Sequence, residues 1–516
     1  MIRPDTAPDR SEASHEDRRS VRIAGACATA VALAWLWVVA AVLADAPFVV
    51  TTVADAVIRT TPGGVSTFFI DLLAHWALRL LSLGVLAGVV FAGAEALWRL
   101  KSATRPRPLV TGAVLAVGAA LATLLLPQSG ESDPLVTAIA LAIAALLYAG
   151  FAGSVYETLT ASHDPNRRTM LRFGVGSAFA VALGGGALGW LLRSFSGPDR
   201  DVDLVRPVMA AALPDDGAWP DIEGQTPEVT PADAHYVVDI DLITPSVEAD
   251  GWSLRVAGLV DRAQDLTFES LQRRFEIVEE YSTMCCISNE VGGNLIGTSA
   301  WGGVRLRDVL DSAGVQEGAV DVVLRATDGY SDSIPIEVAL DEHSILCVSQ
   351  NGEALLQEHG FPCRLRVPAI YGMKNVKWLT EIEVVPHDYQ GYWMRRGWSD
   401  EAVVKTESRI DVVGTDGRAR VGEATWIAGI AWAGARGVSK VEVSVDDGPW
   451  REAMLKDPIN ERCWRLWAYR WTPERAGSLR VECRAVDGSG AVQTAREADP
   501  HPAGASGYPY TEVAVD

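Results

Sequence analysis

The spacing of apolar residues changes character near residue 234. Before it, five stretches (residues 23–44, 80–97, 109–126, 135–153 and 173–192) are nearly free of charge. Each is about long enough to cross a bilayer core of roughly 30 Å. Arg18, Arg19 and Arg22 precede the first stretch, Arg99, Lys101, Arg105 and Arg107 follow the second, and Arg167, Arg168 and Arg172 follow the fourth; the loop 127–134 carries no Lys or Arg. Basic loops stay on the cytoplasmic side, so this asymmetry predicts an N-terminus inside and a large C-terminal part outside. The first run is long and further spans follow it, which predicts an anchor rather than a removable leader.

Residues 194–233 are rich in Pro, Asp, Gly and Ala with no sustained period, as in a linker. Beyond them the elements are short and mixed. The run 252–260 alternates like a strand, 267–274 predicts a helix with Thr267 as N-cap, 304–313 predicts another helix, and 320–326 and 381–385 predict strands. That mixture predicts an α+β domain. From about Val404 the pattern is all-β, with strands at 425–431, 438–446, 464–471 and 478–486 separated by turns such as Asp446-Asp447-Gly448-Pro449 and Asp487-Gly488-Ser489-Gly490. Trp467, Tyr469 and Trp471 fall on one face at period two, which suits a sandwich core.

Composition narrows the class. A chain of 516 residues exceeds one ordinary domain, and a net charge of −21 argues against a nucleic-acid binder. Its seven cysteines are too few and too scattered for a small disulfide scaffold. Residues 65–79 mix Asp71, His75 and Arg79 with Phe, Leu and Trp, which fits an interfacial helix or an extension of the second span. An intramembrane His75 would be a candidate haem ligand. None of the five spans contains a histidine, however, so bis-His haem ligation is not available and haem is not expected; snorkelling of His75 and Arg79 is the plainer reading. Asn166-Arg167-Arg168-Thr169-Met170-Leu171-Arg172 before an Ala/Gly-rich segment resembles a twin-arginine export signal placed internally; ordinary positive-inside charge explains the same residues.

The candidate chemistry gathers at 281–303, where apolar and β-branched residues lead into Cys285 and Cys286 and a polar, glycine-rich loop follows. A cysteine thiolate is a soft donor suited to a soft or redox-active metal, and the usual zinc spacings are absent. A buried structural cysteine is the alternative.

Cys286-Ile287-Ser288-Asn289, Gly297, Ala300-Trp301-Gly302-Gly303-Val304 and Leu306-Arg307-Asp308-Val309-Leu310 together resemble the molybdenum-binding segment of the sulfite oxidase family of molybdopterin enzymes. Asn351-Gly352-Glu353-Ala354-Leu355, His359-Gly360-Phe361-Pro362, Arg364-Leu365-Arg366-Val367-Pro368 and Tyr371-Gly372-Met373-Lys374-Asn375-Val376-Lys377-Trp378-Leu379 resemble its pterin-binding region. The all-β part is similar to the family's immunoglobulin-like dimerisation domain, through Ser444-Val445-Asp446-Asp447-Gly448-Pro449-Trp450, Trp464-Arg465-Leu466-Trp467 and Arg484-Ala485-Val486-Asp487. The resemblance runs from about Ala234 to the C-terminus. Hydropathy and the basic loops predict a cytoplasmic tail (1–22), a five-helix membrane domain (23–193) and a linker (194–233), and the resemblance implies a molybdopterin-binding α+β oxidoreductase domain (234–400) and an immunoglobulin-like domain (401–516).

It also implies roles. Cys286 takes the metal-ligand position because it opens the Cys-x-x-Asn phrase, with Cys285 as competitor. Tyr236, Thr327, His359 and Arg364 would line the molybdenum-molybdopterin cofactor, while Asn375, Val376 and Lys377 would hold its phosphate end, through a cationic fork, an ammonium and backbone amides. Tyr330 resembles the family tyrosine near the open metal position, a candidate proton donor; Asp332 could face the same cavity. Sulfite-oxidising members carry arginines after the ligand cysteine and in an N-terminal Arg-Asn-His phrase; here those positions read Glu290-Val291 and Tyr236-Val237-Val238-Asp239. A dianion would meet fewer cations, so a neutral oxide such as a sulfoxide is at least as good an expectation as sulfite. The expectation is a membrane-anchored molybdopterin oxidoreductase facing outside the cytoplasmic membrane, taking a small oxide or oxyanion, exchanging electrons with a partner and forming a homodimer. An exported adhesion module with an inert catalytic domain is the alternative.

Overall fold

The computed structural model describes residues 10–42, 48–61, 77–101, 105–125, 134–160, 202–208, 213, 219–240 and 244–516. The chain divides into two compact units, a helical one of residues 1–198 with 241–246 and a β-rich one of residues 199–240 and 247–516. The fifth expected span, with Arg167, Arg168, Asp71 and His75, lies outside the described residues.

The helical unit contains α1 (Arg10–Val42), α2 (Val49–Thr60), α3 (Ala77–Arg99), α4 (Pro108–Leu125) and α5 (Pro134–Thr160). Four of these, all but α2, are long and apolar enough to cross a membrane. No span was expected at α2, whose three threonines, Asp55 and Arg59 keep its hydropathy low. Small residues let the helices approach: a Cβ on Gly25 would meet Ala94 Cα at 2.8 Å, and one on Gly93 would run into Thr29. Arg22 and Arg99 converge on Glu95, and Arg18 and Lys101 lie over Trp98. The basic clusters flanking the first two spans therefore share one end of the α1/α3 pair, as the charge asymmetry requires.

The β-rich unit holds two parts. In the first, one sheet has the order β2 (Gln264–Thr267), β1 (Ser253–Gly258), β10 (Leu379–Val385), β5 (Asp321–Ala326), β6 (Ser331–Pro335). Only β1 and β10 run parallel. The other sheet has the order β3 (Ile277–Cys285), β4 (Ile296–Arg305), β7 (Ile345–Gln350), β8 (Glu353–Ala354), with β9 (Arg364–Arg366) also on β7. The helices α6 (Phe268–Arg274) and α7 (Leu306–Ala313) complete a shared core through Leu254, Leu271, Val304, Val309, Leu346 and Leu365. Thr267 caps α6 by accepting the Ser270 amide at 3.2 Å, and Gly314 ends α7 at φ 76°, a conformation open to glycine. The elements are those expected of an α+β domain, with strand outweighing helix.

The second part is a β-sandwich. One sheet runs β11 (Glu407–Val413), β13 (Thr425–Trp432), β17 (Arg465–Trp471), β16 (Met454–Leu455); the other runs β12 (Arg418–Ala419), β19 (Tyr510–Val515), β18 (Gly477–Asp487), β14 (Val438–Val445), β15 (Arg451–Glu452). Trp467 and Trp471 are buried and Tyr469 packs beside them, on the one face their period predicts. The end of the expected linker is docked against both parts. Gln225 bonds the Gly429 and Trp467 carbonyls at 3.3 and 3.2 Å, and the Thr230 amide bonds the Thr298 carbonyl at 2.7 Å.

Candidate functional site

The two neighbouring cysteines fall on either side of the end of β3. Cys285, the last residue of β3, packs with Ile287, Ile296, Tyr371 and Met373 in the apolar layer facing the sandwich. Burial raises its thiol well above the usual range, with the Glu407 carboxylate adding to this. Cys286 opens the loop to β4. Its amide donates to the Leu295 carbonyl at 2.9 Å, and Asn289 Oδ1 accepts the Leu295 amide at 2.9 Å. The buried Asn289 thus closes the loop that presents Cys286, which is the physical content of the Cys-x-x-Asn phrase. Cys286 Sγ lies 2.9 Å from Ser288 Oγ. Burial raises this thiol too, but the Ser288 hydrogen bonds and the Lys377 ammonium oppose the rise.

Around Cys286 stand groups from distant segments. Tyr236 and Tyr330 are both close enough that a Cys286 thiolate would raise their phenol pKa values, which burial already lifts. Behind Tyr236 three rings cluster on His235, with centroids 5.0 Å to Tyr236, 5.6 Å to Trp301 and 5.5 Å to His359. Burial depresses His235 to about 3 and His359 to about 4, helped by Arg364, so both are neutral at pH 7. His359 Nε2 reaches the Ala232 carbonyl at 2.6 Å, whereas His235 Nε2 is buried and meets no hydrogen-bond partner of good geometry among the described residues. Gly297 makes room for that ring, since a Cβ there would sit 2.7 Å from His235 Cδ2.

Arg364 is buried on β9 with its guanidinium carbon 5.1 Å from the Trp301 ring centre. It donates to the His359 carbonyl at 3.0 Å and the Asn375 carbonyl at 3.1 Å, and its Nε has no partner. Among the described residues no carboxylate forms an ion pair with it. Burying an unpaired cation is costly unless a ligand completes it. Lys377 pairs with Asp239 and donates to the Glu358 carbonyl at 2.8 Å, which leaves one of its three N–H donors. An unmet guanidinium N–H, an unmet imidazole nitrogen and a buried thiol suit an anionic, heteroatom-rich ligand that brings a soft metal.

Other expected residues are placed differently. Asn375 ties its own loop together, its Oδ1 accepting the Val367 amide at 2.6 Å and its amide donating to the Gly372 carbonyl at 3.0 Å. Its amide is therefore engaged within the loop rather than offered to a phosphate. Val376 is buried in the core, and its carbonyl accepts the Leu365 amide at 2.8 Å. Thr327 bonds the Trp378 carbonyl through its hydroxyl at 3.3 Å and its amide at 3.0 Å. The Tyr330 hydroxyl lies 2.9 Å from both Asp332 Oδ2 and the Met373 carbonyl. Glu290 is exposed, where water screens the repulsion expected of it. His235, Trp301 and Asp239 were not singled out from the sequence; the lone histidine beside Tyr236 was the available signal.

Comparison with known proteins accords with this geometry. Residues 241–393 match the oxidoreductase molybdopterin binding domain and residues 401–499 the Mo-co oxidoreductase dimerisation domain. The chain is similar to human mitochondrial sulfite oxidase, 32% identical over 304 residues, covering 49% of this chain and 55% of that protein. It is similar to the uncharacterized oxidoreductase YuiH of Bacillus subtilis, 37% identical over 147 residues, 28% of this chain and 72% of that one. Barley NAD(P)H nitrate reductase is 29% identical over 321 residues, 50% of this chain and 36% of that one. The chain thus spans about half the length of the human enzyme it matches. With nearly three quarters of the bacterial oxidoreductase covered and both domains in order, the chain belongs to the sulfite oxidase family of molybdopterin-dependent oxidoreductases.

Proposed function

We propose that this protein is a molybdenum-dependent oxidoreductase performing two-electron oxygen-atom transfer. Cys286 is the protein ligand to the metal, and Arg364, His359, His235, Tyr236 and Lys377 hold the pterin and its phosphate. The observation that carries the reading is Arg364, a buried guanidinium without a carboxylate, on the same site as a presented thiol. When bound, molybdopterin would supply a centre able to exchange two electrons and one oxygen atom with substrate. The chain's part is to bind and orient. Ser288 and Lys377 favour the ionised thiol, Trp301 stacks against Arg364, and the neutral histidines offer hydrogen bonds without repelling the guanidinium.

The finer reading is a cell-membrane protein with five spans, N-terminus inside and catalytic domain outside, whose 401–516 region is an immunoglobulin-like dimerisation domain. Shared positioning of Arg22 and Arg99 at one helix end supports the orientation. A neutral oxide such as a sulfoxide is favoured as substrate because the arginines of sulfite-oxidising members are missing. The decisive experiment measures molybdenum and pterin in matured protein, then screens sulfite and sulfoxides with an artificial electron mediator. Protein that matures correctly yet carries neither metal nor pterin would overturn the assignment. Replacing Arg167 and Arg168 by Lys preserves charge, so loss of protease access to the C-terminal domain would mark a receptor-read export signal rather than positive-inside charge.

A further inference from the structure

Tyr330 heads a line of hydrogen bonds that leaves the site and reaches water. Its hydroxyl is 2.9 Å from Asp332 Oδ2, Asp332 Oδ1 is 3.1 Å from Lys374 Nζ, and Lys374 Nζ donates to Asp400 Oδ1 at 2.7 Å. The Asp332 and Lys374 side chains are 0% and 3% exposed, whereas that of Asp400 is 40% exposed. Every link is within hydrogen-bond reach, and every group can accept and release a proton.

A purely structural ion cluster would not need the phenol. Lys374 already divides its donors among Asp332, Asp400 and the Ser333 carbonyl at 2.9 Å. Tyr330 has one proton and two acceptors at 2.9 Å, Asp332 Oδ2 and the Met373 carbonyl. With Asp332 ionised, the phenol donates to it. With Asp332 protonated, the carboxyl donates to the phenol oxygen and the phenol turns to Met373. Both states are fully hydrogen-bonded, so neither leaves a buried polar group unmet. Burial raises Asp332 to about 6 against the opposing Lys374, which brings both states within reach near neutral pH. Among the described residues the other charged or titratable groups facing this pair are Asp400, Asp328, which accepts the Tyr330 amide at 2.8 Å, Tyr392, whose ring centre is 5.8 Å from that of Tyr330, and the Cys286 thiol.

We propose that Tyr330, Asp332, Lys374 and Asp400 form a proton relay between the oxygen-transfer site and solvent. The inference rests on placing the reaction beside Cys286 and Tyr330. Removing an oxygen atom from a substrate oxide consumes two protons and two electrons and yields water; the reverse releases them. The electrons pass to or from an external one-electron carrier, and the chain moves the protons. For an inward proton, Asp400 takes one from water while Lys374 gives one of its own to Asp332, and Asp400 then restores Lys374. Asp332 passes its proton to the Tyr330 oxygen as the phenol releases its own toward the site. Each group ends as it began, only O–H and N–H bonds have changed, and a second passage delivers the second proton.

The test uses full-length protein with and without molybdenum. Infrared spectroscopy should find a carboxylic acid band titrating near pH 6, lost in Asp332→Asn and retained in Asp400→Asn. Exchange of that proton with deuterated water should slow about tenfold in Asp400→Asn and recover in Asp400→Glu. In the metal-loaded protein, Asp400→Asn should slow turnover about tenfold with a larger solvent isotope effect. Exchange as fast in Asp400→Asn as in the unaltered protein, or a band that survives Asp332→Asn, overturns the relay. Protein that lacks molybdenum while its exchange still depends on Asp400 would refute the oxidoreductase reading and leave the proton path standing.

Discussion

Two buried charges, Asp487 of the sandwich and Arg364 of the molybdopterin domain, are met in opposite ways. In the sandwich, Asp487 accepts Arg436 Nε at 3.0 Å, and its other oxygen takes the Ser489 and Ala491 amides at 3.0 Å and the Ser489 hydroxyl at 2.6 Å. Both oxygens of Asp487 are thus engaged. In the molybdopterin domain Arg364 is buried as deeply, yet meets only carbonyls and a thioether and keeps an unmet N–H. A domain that only had to fold would not keep such a group, since an unpaired buried cation destabilises it. On the function proposed above, the difference separates charge that holds the chain together from charge that would meet a ligand.

Cys286→Ser should break that distinction most completely, taking turnover to background while circular dichroism and the unfolding midpoint stay close to those of the unaltered protein, because a hard alkoxide replaces a soft thiolate. X-ray absorption should show the sulfur ligand lost in this variant and kept in Cys285→Ser. Arg364→Met should lower pterin content at least about tenfold while leaving the cofactor-free protein equally stable, or more stable by about 1–4 kcal/mol, as measured by denaturant unfolding. Asp487→Ala should do the reverse. It strands two loop amides and a guanidinium, costing about 1–3 kcal/mol with cofactor content unchanged.

A smaller effect lies in pH. His235 and His359 are held below their ordinary value of 6.5, so the stability they contribute is whole above that pH and is lost as pH falls toward 4 and 3. Asp332 works in the other direction: raised from 3.8 to about 6, its contribution is whole below 3.8 and is lost as pH rises through 6. His359→Gln should therefore flatten the acid limb, recovering about 2 kcal/mol at pH 5 relative to its own value at pH 7. Equal acid sensitivity in the variant and the unaltered protein would show that His359 is protonated without penalty. Cys285→Ser should have the smallest effect, a modest loss of stability from placing a hydroxyl in an apolar layer.

How much of this could be read from the sequence follows from distance along the chain. Cys286, Asn289 and Arg364 sit in local phrases whose geometry is made by a single loop or strand, so their place in the fold could be read from the phrases themselves. Thr267 and Trp467 were legible for the same reason: capping and two-residue alternation are local rules. His235, Trp301 and Asp239 were not, because their meeting depends on how β4, β9 and the segment before β1 are brought together. The roles expected of the Asn375 amide and the Tyr330 proton were altered by partners that a linear reading cannot see, the Gly372 carbonyl and Asp332. Asp400, at the end of the relay, lies in a segment that offers no pattern at all.

The neighbouring cysteines have a consequence for how this site could change over time. Nine matched positions hold β3 against β4, from Ile277 opposite Val304 to Cys285 opposite Ile296. Cys286 is the first residue beyond that ladder and its amide still bonds the Leu295 carbonyl, so which sulfur stands at the proposed metal position is set by counting residues from the pairing. Gain of one codon within 277–285, with the ladder kept, would move Cys286 one place on and bring Cys285 into its position. On the proposed reading the metal-binding position is thus set by this count, and the second cysteine makes the count readable: a one-residue insertion would not abolish the thiol but exchange it, which a spectroscopic search for a surviving metal–sulfur bond in such a variant would reveal.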